Sequence, residues 1–145
     1  MSDVVDVLIG QHDRMRELCD DIASATGAAK HRLFAELDVL VNVHEFGDRT
    51  VVHPAARDST PAGDAVGVAC MAEEGAIERT IAELHELGAG AATFDARFAA
   101  LRRALLAHHA HEERDEFPLM RLYLRPQRLH MMVGQLHDVQ TMGVR

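Results

Sequence analysis

The chain has 145 residues, of which 48% are hydrophobic and only 4% aromatic, and it carries a formal charge of −8. This length fits one domain with a sizeable core, and a core built mainly from aliphatic side chains favours helix packing over a β-sandwich. The negative charge argues against a nucleic-acid or anionic-membrane surface, because both need clustered lysine and arginine.

Hydrophobic periodicity predicts four long helices with short connections. The first begins at a Ser2 cap and ends at Thr26-Gly27, and the stretch RDSTPAG forms the clearest turn, after the second. The fourth begins at a Thr93 cap and continues past Pro118 with a kink or restart. The predicted ranges are about 2–25, 28–55, 64–87 and 93–124.

A last amphipathic segment at about 127–141 predicts a short fifth helix over the bundle. The expected fold is therefore all-α: an up-down four-helix bundle at about 2–124 with a short additional C-terminal helix, in a single domain over 1–145. Acidic residues at the N-terminus and the shortness of every apolar run predict a cytoplasmic protein without a signal peptide or a membrane span. Cys19 and Cys70 are expected to be small buried thiols.

One pattern occurs twice: a histidine, a carboxylate four residues later and a proline ten residues after the histidine. In a helix, residues four apart lie on the same face, so each pair presents an imidazole and a carboxylate together. The first copy (residues 44–54) and the second copy (residues 108–118) contribute His44, Asp48 and Pro54, and His108, Glu112 and Pro118.

Each copy also has a polar residue about one helix upstream. His12 precedes His44 by 32 residues, and Glu74 precedes His108 by 34, with apolar neighbours at matching positions. This indicates a duplicated site. Glu73 is the alternative to Glu74 if the helix register differs by one residue.

These polar residues stand where the helical period demands hydrophobic ones. Buried carboxylates are costly unless something positive lies between them, and the apolar stripes offer no lysine or arginine for that purpose. A cation would satisfy them, and the set suits two octahedral ions bridged by carboxylate and a solvent oxygen. Iron is the first expectation and manganese the second. The predicted metal ligands are His12, His44, Asp48, Glu74, His108 and Glu112.

From about Val4 to Met120, this order of residues resembles the hemerythrin-like (HHE cation-binding) family. The resemblance implies a four-helix bundle with a non-haem di-iron centre that is oxo- or hydroxo-bridged. Members of the family are associated with binding dioxygen, sensing oxygen or iron, and responding to nitric oxide or peroxide. It implies histidine ligands at His12, His44 and His108, and bridging carboxylates at Asp48 and Glu112. In this chain Glu74 replaces a usual histidine and Asp48 a usual glutamate.

An oxygen-rich ligand set stabilises the higher oxidation state of iron, which disfavours reversible dioxygen carriage. The first functional hypothesis is therefore catalase-like redox chemistry on hydrogen peroxide, or on related oxygen and nitric oxide species, with Glu74 or Glu78 moving protons. The alternative is an oxygen or iron sensor without turnover. A structural bundle without metal is the third possibility.

The neighbours of the pattern receive plainer interpretations. His109 and His111 are expected to be exposed, and Glu45 and Glu113 to be solvated. Packing is favoured over hydrogen bonding to the ligands for His53 and Tyr123. His130 and His137 are expected to cover the end of the bundle. For Glu78, a metal ligand and a solvated residue are equally favoured interpretations.

Overall fold

The computed structural model describes residues 2–142, and over that range the chain is helical with no β-strand. Four long helical rods form the bundle and a fifth helix packs beside them, which confirms the expected fold class. The rods are α1 (Val4–Ser24), α2 and α3 (Gly27–Gly47 and His53–Ser59), α4 (Gly63–Leu87), and α5 and α6 (Phe94–His111 and Phe117–Tyr123), followed by α7 (Pro126–Met142).

Two of the rods contain a π-helical segment. Asp48–Val52 joins α2 to α3, and Glu112–Glu116 joins α5 to α6. Pro54 and Pro118 lie at the start of the helices that follow, where a missing N–H is tolerated. A π turn takes up an additional residue, so the side chains beyond it are rotated relative to a regular α-helix.

The helix ends differ in detail from the sequence expectation. The N-cap of α1 is Asp3 instead of Ser2: its carboxylate accepts a hydrogen bond from the Asp6 backbone N–H, and Asp6 reciprocates, each at 3.0 Å. Within the described chain, Thr93 makes no side-chain cap hydrogen bond. Gly88 ends α4 with a φ of +85°, a conformation that glycine adopts readily.

Two apolar clusters form the core, and a polar layer separates them along the rods. One cluster lies among α1, α2, α4 and α5, and both cysteines are buried, with Cys19 in this cluster. The other joins the start of α1 to α3, α6 and α7. On α1, His12 lies between Leu8 of the second cluster and Met15 of the first. The polar layer is therefore enclosed by hydrophobic packing on both sides.

Helix α7 packs against α1 and α2. The approach to α2 is close at Gly47, where an added Cβ would lie 2.6 Å from Leu136 Cδ1 and 2.9 Å from Gln140 Nε2. A larger residue at this position would force the side chains of Leu136 and Gln140 to shift. No helix within residues 2–142 is long and apolar enough to cross a membrane.

Candidate metal centre

The six predicted ligands come together in the polar layer, from α1, α4 and the two rods that contain π segments. Each is at most 2% exposed. Asp48 and Glu112 are the first residues of their π segments, so the same backbone feature positions both carboxylates. The six are His12, His44, Asp48, Glu74, His108 and Glu112.

The histidine Nε2 atoms and the carboxylate oxygens face one another at short range. His12 Nε2 lies 3.2 Å from His44 Nε2 and 3.2 Å from Glu112 Oε1. His44 Nε2 lies 3.3 Å from Asp48 Oδ2, and His108 Nε2 lies 3.4 Å from Glu112 Oε1. Glu74 Oε2 is 3.6 Å from His108 Nε2. Glu112 thus contacts the histidines of two different rods.

His53 also belongs to this cluster, so the expectation that it is a packing residue is wrong. It is fully buried, and its Nε2 lies 2.7 Å from Glu74 Oε1 and 3.8 Å from Glu112 Oε2. Nine residues of regular α-helix would place it about half a turn away from His44. The additional residue in the π segment rotates His53 back toward the face that carries His44 and Asp48.

His109 is a second departure, because it is 1% exposed and was expected to be in solvent. Its ring stacks on His12, with a centroid separation of 3.9 Å and an interplanar angle of 8°. His109 and His53 each belong to a group of potential ligands whose donor atoms lie within 4.8 Å of one another. The groups are His12, His44 and His109, and Asp48, His53, Glu74 and Glu112.

An outer layer of hydrogen bonds fixes four of the imidazoles. In each of them Nδ1 lies within hydrogen-bond distance of a side-chain oxygen, and an Nδ1–H donated there leaves the Nε2 lone pair facing the centre. Such outer partners orient the histidine ligands of metal sites and select their tautomer. The pairs are His12 with Glu113 (2.9 Å), His44 with Gln11 (2.7 Å), His53 with Glu116 (2.6 Å), and His108 with Glu73 (2.7 Å).

Some of the remaining neighbours contact the candidate ligands or their hydrogen-bond partners, and the others lie at the surface. Glu113 was expected to be solvated but contacts His12, while the partly buried His111 contacts Glu73. Glu78 lies outside the cluster, with a half-exposed carboxylate paired with Arg49. Of the two expected proton carriers, the structure therefore brings only Glu74 into the centre. Exposed positions are Tyr123, His130 and His137.

Glu45 was also expected to be solvated, and it is 1% exposed. Burial, with the nearby charges of Glu74 and Glu78, raises the pKa of its carboxyl to about 10. It follows His44 directly, as His109 follows His108. The position after each pattern histidine thus faces the interior, because neighbouring rods cover that side as well.

Burial and mutual interaction dominate the electrostatics. Burial, together with His44, lowers the pKa of His12 to about 2, so this imidazole is neutral. Burial would also lower the pKa of His53, but hydrogen bonds with Glu116 and Glu74 outweigh it and raise it to about 11. Burial raises the pKa of Glu112 well above its usual value, and the charge of Asp48 adds to this. A bound cation would displace the protons that His53 and Glu112 hold in its absence.

The donor set fits a bound cation. Within residues 2–142, several buried ligand atoms have no hydrogen-bond partner, including both carboxylate oxygens of Asp48 and of Glu112, and Nε2 of His108. Unpartnered buried polar groups are costly, and here they converge with imidazole nitrogens. Imidazoles and carboxylates in this mixture suit first-row transition metals.

Fold and site together define a helical-bundle protein with a buried histidine and carboxylate cation site. The chain belongs to the hemerythrin HHE cation binding domain family, whose profile matches residues 3–120. Its structure is similar to the crystal structure of a hemerythrin HHE cation binding domain-containing protein from Mycobacterium kansasii. The TM-score is 0.88 at 19% sequence identity, covering 99% of this chain and 88% of that one. A search of curated proteins found no match.

Proposed function

We propose that this chain binds two iron ions in the centre and consumes hydrogen peroxide there in a catalase-like reaction. The observation that carries the proposal is the convergence of three buried carboxylates with imidazole Nε2 atoms that outer hydrogen bonds hold in place. This is a larger set of donors than the four that a structural zinc site requires.

The donors divide naturally between two positions. His12 and His44 would hold one ion, and His53, His108 and Glu74 the other. Asp48 and Glu112 lie between the two sets: Asp48 contacts His44 and groups with His53, and Glu112 contacts both His12 and His108. These two carboxylates would therefore help to hold both ions of a two-metal site.

Bound iron would supply the electron transfer that converts two molecules of peroxide into dioxygen and two of water. The chain itself would supply the oxygen-rich environment of Asp48, Glu74 and Glu112, which stabilises oxidised iron and disfavours reversible dioxygen carriage. The apolar clusters on both sides would exclude bulk water. Burial raises the pKa of Glu74, and its Oε2 is the atom at which a transferred proton would be held.

The test measures the metal content and the peroxide-dependent oxygen evolution of the iron-loaded protein. The wild type is expected to hold two irons and evolve oxygen, whereas Glu112→Ala should lose both properties. Glu83→Ala, at an exposed position of α4, is the matched control and should behave as the wild type. An iron-loaded wild type that evolves no oxygen from peroxide would refute the enzymatic proposal.

A second candidate function is oxygen or iron sensing, and one contact favours it. Gln140 of α7 and Gln11 exchange hydrogen bonds of 3.0 and 2.8 Å, and the same Gln11 oxygen lies 2.7 Å from His44 Nδ1. The C-terminal helix is thus two hydrogen bonds away from the centre. In a sensor, metal loading would protect α7 from proteolysis, so equal cleavage of α7 with and without iron would argue against sensing through this helix.

A further inference from the structure

We propose that His109 is itself a metal ligand, so that His12, His44 and His109 form a three-imidazole pocket distinct from the carboxylate-rich one beside it. This inference rests on the proposed two-metal centre and adds a ligand that the repeated pattern does not contain. It makes the two metal positions chemically unequal.

The His109 side chain is buried without polar partners among residues 2–142. It is 1% exposed, and in the part of the chain that the structure describes neither Nδ1 nor Nε2 has a hydrogen-bond partner. His12, His44, His53 and His108 differ in this respect, because each has an outer oxygen at Nδ1. A buried imidazole with both nitrogens unpartnered is costly unless a ligand occupies one of them.

The nitrogens of His109 lie near those of two other imidazoles. One donor nitrogen each from His12, His44 and His109 lies within 4.8 Å of the others. The His109 ring is stacked on His12 and lies edge-on to His44, at a centroid distance of 5.7 Å and an angle of 71°. The available neighbours of His109 are thus the two imidazoles that would hold the first ion.

Ring packing alone does not account for a histidine here. Phe117 also stacks on His12, with a centroid separation of 5.8 Å and an angle of 17°. This shows that a hydrocarbon ring serves as a packing partner for His12 without burying unsatisfied nitrogens. The nitrogens of His109 are therefore the feature that needs an explanation, and coordination supplies it.

The two pockets should differ in metal preference. Imidazole donors suit zinc, copper, iron and nickel, whereas carboxylate oxygens suit harder cations such as magnesium, calcium and manganese. The pocket of Asp48, His53, Glu74 and Glu112 has the higher density of negative charge. It should fill first, and the three-imidazole pocket should take the second equivalent.

The experiment titrates metal-free protein with Co²⁺ and follows binding by visible absorption and calorimetry. His109→Phe keeps a stacking ring but removes the nitrogens, and His109→Gln keeps polarity in a smaller side chain. His85→Gln, at an exposed position on α4, is the matched control. The wild type and His85→Gln should bind two equivalents. Both His109 variants should keep the first and bind the second at least about 100-fold more weakly, which exceeds the usual effect of losing an outer partner.

A crystal structure of the cobalt-loaded wild type provides the complementary test, because it does not depend on the folding of any variant. An ion within about 2.0–2.2 Å of a His109 nitrogen, a normal metal–imidazole distance, would support the assignment. An ion in this pocket with His109 out of reach would overturn it. So would variants whose second equivalent binds with wild-type affinity and spectrum. A wild type that binds fewer than two equivalents would overturn the proposed two-metal centre itself.

Discussion

The two copies of the repeated pattern share a backbone but differ in the groups that surround it. In both, the histidine precedes a π segment whose first residue is the carboxylate. The distance from Nε2 to that carboxylate is 3.3 Å in the first copy and 3.4 Å in the second. The repeated feature is thus a local geometry that aims one imidazole and one carboxylate at a common point.

The surroundings of the copies have diverged. His44 meets the neutral amide of Gln11 at Nδ1, whereas His108 meets the carboxylate of Glu73. The residue nine positions after the histidine is His53 in the first copy and Phe117 in the second. A duplicated backbone can therefore keep its metal-binding geometry while its donors and outer partners change.

The largest expected effect is loss of either pattern carboxylate, Asp48 or Glu112, which tests whether the copies are equivalent. Asp48→Asn and Glu112→Gln keep the side-chain shape but remove the charge that attracts the cations. Each should lose at least about 100-fold in peroxide consumption, more than the usual effect of an outer partner, and should retain less than two irons by elemental analysis. Full activity in one variant alone would show that the copies are not equivalent.

Metal removal should lower stability, because the proposed ions would bind the folded chain and hold both copies together. At a free metal concentration about 100-fold above Kd the stabilisation is about 2.7 kcal/mol. This corresponds to about 5–10 °C in Tm for a chain of this size. Thermal denaturation with and without a chelator measures it. An unchanged Tm would count against a metal between the copies.

The two copies also differ in the residue that hydrogen-bonds to Nδ1 of the pattern histidine, and substitution of these partners tests that difference. Glu73→Ala removes a charged partner of His108 and should weaken metal binding by about 10–100-fold, as is usual for such partners. Gln11→Ala removes a neutral partner of His44, and its effect should be smaller because charge-assisted hydrogen bonds are stronger. Competition titration against a chelator of known affinity compares the two variants. A larger loss in Gln11→Ala would contradict this order.

The smallest effect is expected outside both copies, at the N-cap of α1. Slight burial would raise the pKa of Asp3, but Arg121 and the Asp6 N–H outweigh it and lower the pKa. The ionised carboxylate therefore stabilises the fold above the unfolded-state pKa of about 3.9, and this contribution disappears as the pH falls through the folded-state pKa.

Asp3→Ala should cost about 1 kcal/mol at pH 7, the usual value of a cap residue. The Tm difference between metal-free wild type and Asp3→Asn isolates the charge, and it should shrink toward zero as the pH falls through the lowered folded-state pKa of Asp3. A difference that is independent of pH would contradict the assigned role of the charge.

The sequence predicts the architecture well, because the apolar stripes repeat with helical period over long stretches. It also singles out His12, His44, Asp48, Glu74, His108 and Glu112, all of which lie together, since polar residues interrupt those stripes. Helical periodicity presupposes a regular α-helix, and two of the rods depart from it in their π segments.

His53 was misplaced because the π segment changes the rotation of the helix after Asp48. A proline ten residues after the pattern histidine was the available signal, since a proline inside a helical pattern indicates an irregular turn. Glu45 and His109 were misplaced for another reason. A periodic stripe identifies one buried face, and these two positions lie on a second face that neighbouring rods also cover.

Gly47 suggests where the accessibility of this interior could be adjusted. Leu136 and Gln140 rest against its bare Cα, and Gln140 in turn meets Gln11. A methyl group at position 47 would force the Leu136 and Gln140 side chains to shift and so disturb the packing on the His44 side. Substitution of this one glycine by alanine would therefore change the cover over the centre without altering any proposed ligand.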